Sequence, residues 1–155
     1  MIHSKTSAIL SLVICIASSV LLVVLAVTFP FFIRWLYFSY HALQLNTAAA
    51  ERIFAAVIPA FYICVPIAAA ALYMLIRLLF NVLHAQVFIP RNVLYLRLVS
   101  WCCYAVALVT LIFGFSYFPL LFITFIMAVV GTLLRVVKNV MQTAVELREE
   151  NDLTI

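Results

Sequence analysis

The chain alternates long apolar runs with short polar breaks. Residues 8–33 carry no charge, residues 53–79 carry one near their end, residues 98–113 carry none, and residues 120–137 carry one, Arg135, near their end. At 1.5 Å per residue, a helix over the first run measures about 39 Å, more than the ~30 Å hydrocarbon core of a bilayer. Between the last two runs stands only GFSYFP, residues 114–119, which leaves room for a tight antiparallel turn and nothing larger. The pattern predicts an all-α integral membrane protein of one domain. Its four transmembrane helices form two antiparallel hairpins, with spans near 8–33, 53–79, 98–113 and 120–137, a loop at 80–97 and a tail at 138–155.

Local chemistry refines these elements. A cleaved signal peptide is the competing reading of the first run, but the run exceeds the usual 7–15 apolar residues and leads into Phe29, Phe31, Phe32 and Trp35. Arg34, Trp35, Tyr37 and Tyr40 suit the headgroup level. The break at 39–52 holds His41, Gln44, Asn46 and Glu51 among good helix formers, so it reads as a short interfacial helix or a coil. Pro59 and Pro66 each remove a backbone donor and predict a bend in the second span. Ala68–Ala71 offers a neighbouring helix a smooth face. Beyond Arg135 and Lys138, Leu133, Val137, Val140, Ala144 and Leu147 recur at helical spacing and predict an amphipathic extension projecting from the membrane.

Composition then fixes the class. With 69% hydrophobic and 9% charged residues, against the roughly 25% charged of soluble domains, the chain cannot clothe a globular surface in polar groups. Its net charge of +4 comes from single basic residues beside apolar runs, not from a stripe interleaved with stacking aromatics, so direct nucleic-acid binding is not expected. The charge reports topology instead. Lys5, Arg77, Arg91, Arg97, Arg135, Lys138 and Arg148 fall at the two termini and the central loop, and only Arg34 and Arg52 on the other side. By the positive-inside rule both termini and the central loop are cytoplasmic, in a bacterial cell membrane.

Catalytic groupings are missing from the pattern. No carboxylate, histidine or lysine lies well inside a span, where ion paths and membrane enzymes usually carry them. His3, His41 and His84 are on different segments, and Cys15, Cys64, Cys102 and Cys103 lack metal or redox spacing. The span hydroxyls Ser18, Ser19, Thr28, Ser100, Thr110 and Thr124 can bond back to their own helices. No enzyme activity, cofactor or metal is expected.

Two polar segments remain. In 88–97, FIPRNVLYLR, Pro90 biases Ile89 away from helical angles and Asn92 suits a helix cap. The end, ELREENDLTI, gathers four of the five acids, and its charge keeps it off an anionic leaflet, yet it also carries Leu153 and Ile155. These segments, VFIPRNVLYLR at 87–97 running into LVSWCC and EENDLTI at 149–155, resemble the DUF2975 family of small bacterial four-span membrane proteins. The likeness covers essentially the whole chain. Phe88, Asn92, Leu96 and Arg97 match the family's central "PF..EN...LR" pattern, while Ala85, Val87 and Arg91 stand where that pattern tends to have Gly, Pro and Glu. The resemblance implies no established activity. It does imply a frequent gene neighbour, a small Cro/CI-type helix-turn-helix regulator.

The resulting expectation is a cytoplasm-facing docking or signalling protein. Phe88, Asn92, Arg97, Glu149, Glu150, Asp152, Leu153 and Ile155 would form a composite site that holds such a regulator at the membrane. Acids would steer the encounter and the apolar pair would anchor it. An alternative is binding or transport of a lipid or hydrophobic compound beside the second span. A weaker one is an immunity or stress protein answering membrane-active peptides. Self-association is left open.

Overall fold

The computed structural model describes residues 2–42, 47–84 and 86–153, with side chains for 7–39, 51–84 and 86–151. Four helices fill them: α1 (Ile2–Ala42), α2 (Thr47–Leu83), α3 (Pro90–Gly114) and α4 (Pro119–Leu153). Each contains a stretch long and apolar enough to cross a bilayer, so the chain is an all-α, multi-pass membrane protein.

The helices outrun the apolar runs. Nothing obliges a helix to end where its apolar sequence ends, since its backbone bonds are internal and Arg, Leu and Glu are good helix formers. The break at 80–97 is therefore mostly helical, and among its described residues only 84 and 86–89 are irregular. Pro90 starts α3 because it fixes φ at a helical value and the first helical position needs no donor. Ile89 before it is extended, with φ −127° and ψ 145°. The first break narrows in the same way between Ala42 and Thr47; Gln44 and Asn46 lie outside the described residues. Pro30, Pro59 and Pro66 sit inside helices that continue on both sides of them.

Among the described residues α1 packs on α2, α2 on α3 and α3 on α4, and no other pair of helices is in contact. The molecule is an open row, not a closed bundle. Burial follows from that order: the inner helices supply Phe54, Ala56 and Ala60 from α2 and Leu96, Val99 and Ala107 from α3. No described residue of α1 is buried, and its Ile, Leu and Val side chains face outward, as lipid requires and water would forbid.

The α3–α4 pair is the tightest contact. Gly131 brings the backbones together: a Cβ there would stand 3.2 Å from Tyr104 Cε1 and 3.3 Å from Cys103 Cβ. Three polar links follow along the seam. Ser100 Oγ donates to Gly131 O at 2.9 Å, the Tyr104 hydroxyl meets Thr132 Oγ1 at 3.1 Å, and Thr110 meets Thr124 at 2.9 Å. Ser18, Ser19, Thr28, Thr110 and Thr124 do bond back to their own helices. Ser100 departs from that expectation, because the missing side chain at Gly131 puts a neighbour's carbonyl within its reach.

The extension of α4 also differs from the expected stripe. Val145 is buried and Met141 and Lys138 half-buried, whereas Leu133, Val137, Val140 and Leu147 are exposed. Because α3 begins as early as residue 90, α4 has a neighbour along most of its length. The face turned toward α3 is set by Gly131, Lys138, Met141 and Val145.

Candidate functional site

The turn between α2 and α3 is built around one side chain. Asn92 is fully buried, and every polar atom of its amide is used. Its Nδ2 donates to Gln86 O at 2.7 Å and Val87 O at 2.8 Å, while its Oδ1 accepts from Asn81 Nδ2 of the last turn of α2 at 2.8 Å. Gln86 N closes the turn on Asn81 O at 3.0 Å. Side chains in a helix lean toward its N-terminus, so Asn92 reaches back over the turn that precedes α3. It is not the helix cap that its position suggests. Ile89 holds that place without a side-chain bond, since Pro90 occupies the first helical position. The Asn of the motif thus shapes the turn from inside and presents no surface to a partner.

The two polar segments singled out in the sequence do meet. Pro90 and Val93 of α3 and Gln142, Val145, Glu146 and Glu149 of α4 line a groove of about 260 Å³. Its floor is apolar, and Glu146, which accepts from Gln142 Nε2 at 3.0 Å, stands with Glu149 on one wall. Phe88 on the turn is 45% exposed, and Arg97 and Glu150 are exposed as well. Leu96, which shares the motif, is core. The side chains of Asp152 and Leu153, and all of Ile155, lie outside the described residues.

A second concavity lies at the other end of the row. Phe29, Pro30, Ile33, Arg34 and Tyr37 of α1 face Glu51, Phe54, Ile58 and Tyr62 of α2 across a cleft of about 410 Å³. It is walled by rings: Phe29 stacks on Phe61 with centroids 3.9 Å apart, and Tyr37 meets Phe54 at 5.9 Å. Neither Pro59 nor Pro66 lines it.

Sequence reading missed two further arrangements. Asn81 fell in the loop at 80–97 and was given no role; a single Asn just past the end of an apolar run, next to a turn, is the signal that could have found it. Arg135 passed as a plain exit marker, yet its guanidinium lies over two rings of α3, 5.0 Å from the centroid of Trp101 and 5.4 Å from that of Tyr104. His84 is held locally, with Nδ1 2.9 Å from Phe80 O and its ring against Phe80. Among the described residues no cluster of three His, Cys, Asp or Glu could hold a metal.

Residues 6–155 match the family described as "Protein of unknown function (DUF2975)". No curated protein and no solved structure matches the chain.

Proposed function

The chain belongs to the DUF2975 family, and from that premise we propose that it is a docking protein of the bacterial cell membrane. Both termini and the 84–89 turn face the cytoplasm, as the excess of Lys and Arg on that side implies. The observation that carries the reading is the groove between the start of α3 and the end of α4, where an apolar floor of Pro90, Val93 and Val145 lies beside Glu146 and Glu149. Such a surface suits a basic partner with one apolar anchor: the acids raise the encounter rate and the burial holds the complex. The exposed Phe88, Arg97 and Glu150 add contacts on the same two segments, Asp152, Leu153 and Ile155 are assigned to the partner from the sequence alone, and Asn92 serves by holding the turn in shape. The class of partner that fits, and that the family's gene neighbourhood also points to, is a small Cro/CI-type DNA-binding regulator held away from its operator.

The test uses the full chain in detergent and the purified regulator. Glu146→Lys with Glu149→Lys should slow association in a salt-dependent way and leave the melting temperature unchanged. Unaltered binding by that variant would sink the docking reading. A second reading, capture of a lipid or hydrophobic compound, draws support from the 410 Å³ cleft between α1 and α2. A Phe54 and Tyr62 double alanine variant that lost uptake of such a compound, with regulator binding intact, would favour it.

A further inference from the structure

The seam between α3 and α4 carries a second site, built from cations instead of acids. Arg135 lies on α4 about 24 Å along the helix from Pro119, so its Cα stands short of the far edge of a ~30 Å hydrocarbon core. Because α4 starts at the 115–118 turn, its side chains lean toward that turn, which is into the membrane. The guanidinium accordingly turns back along the helix, although the residue is exposed at the outer surface of the seam. It lies over the rings of Trp101 and Tyr104, and the Tyr104 hydroxyl is fixed in turn by Thr132.

Rings cover a guanidinium face but satisfy none of its five N–H donors. Among the described residues Arg135 has no hydrogen bond and no carboxylate within ion-pair distance, and the same holds for Arg97 and Lys138. All three belong to one place. Arg97 is one turn before Trp101 on the same face of α3, and Lys138 is one turn after Arg135 on α4. The antiparallel register set by the Ser100–Gly131 and Tyr104–Thr132 bonds brings those turns level. Three cations with no acid at the rim of the hydrocarbon call for an anion that can itself reside there.

We propose that this seam binds the phosphodiester of an anionic phospholipid. Arg135 presents its in-plane N–H groups to the phosphate oxygens, which planar donors fit well. Arg97 and Lys138 hold the outer side of the headgroup, and the acyl chains run down the exposed α3 face past Leu108. A zwitterionic choline lipid is the poorer occupant, since its ammonium would meet cations and no acid. The site needs neither the docking reading nor an assignment of sides, because phosphate and hydrocarbon are present in both leaflets.

The protein has two tryptophans, Trp35 and Trp101, so a Trp35→Phe chain reports from the site alone. Reconstituted in phosphatidylcholine vesicles, it is exposed to a minor fraction of brominated-chain phosphatidylglycerol or the same fraction of brominated-chain phosphatidylcholine. Trp101 should be quenched preferentially by phosphatidylglycerol. Arg135→Gln should reduce that preference by about fivefold, and Arg97→Gln by a similar factor, as expected for one cation at a lipid surface. If Arg135→Gln does not fold, Arg97→Gln alone carries the test. Equal quenching by the two lipids would overturn the proposal, as would a preference that survives the substitutions. Relief of quenching by millimolar inorganic phosphate would also overturn it, since the seam would then take the free anion and not the lipid.

Discussion

The two hairpins are both pairs of long apolar helices, but they are held together by different physics. In α1–α2 the contact is aromatic: Phe29 stacks on Phe61 and leans on Tyr62, and a cleft opens beside them. In α3–α4 it is a close backbone approach at Gly131 stitched by hydroxyls. Lipid is as apolar as leucine, so apolar side chains gain little by leaving it for one another. Packing that depends on rings alone is permissive about register. A glycine with a cross-helix bond to its carbonyl admits one register only. The second hairpin is thus the rigid part on which the groove and the cation seam are placed, and the first is free to separate or admit a guest.

Three substitutions test that contrast. The largest effect should come from Gly131→Leu, which drives four carbons into Tyr104 and Cys103 and breaks the Ser100 bond. A loss of about 3 kcal/mol is expected in detergent unfolding, with the α3–α4 seam opening before the rest of the molecule. Next is Asn92→Ala, which strands the carbonyls of Gln86 and Val87 and should cost about 2 kcal/mol. Hydrogen exchange should rise at residues 84–92 while the Gly131 seam stays protected. The smallest is Phe29→Ala, at about 1 kcal/mol. Faster exchange confined to α1 and α2 is the expected pattern; if α3–α4 loosened equally, the two hairpins would not be mechanically distinct.

Much of this fold was legible in the sequence because a bilayer imposes so strong a constraint on it. Four apolar runs of that length can scarcely mean anything else, and a six-residue connection forces a hairpin. What escaped was which faces meet. In water the buried stripe of a helix is the apolar one, and that rule picked out Leu133, Val137, Val140, Ala144 and Leu147. Here α3 runs beside the extension, and the side turned to it carries Gly131, Lys138 and Val145, while Ala144 is half-buried and the other four stripe residues are exposed. The site was half legible for a similar reason. The two polar segments stood out by charge and were found side by side, whereas the role of Asn92 depended on Asn81, eleven residues away in a different helix. Ser100 looked like any other self-bonded hydroxyl until its neighbour proved to be a glycine.

The open row has one more consequence, which concerns birth and not function. Among the described residues each helix touches only the helix made just before it and the one made just after. No interface waits for a distant part of the chain, so each can close as soon as its second helix leaves the translocation machinery, and the loop-closure entropy of distant pairings never has to be met. A closed bundle must hold its first helix unpaired until the last arrives to seal it. Here the ribosome's order of synthesis is already the order of assembly.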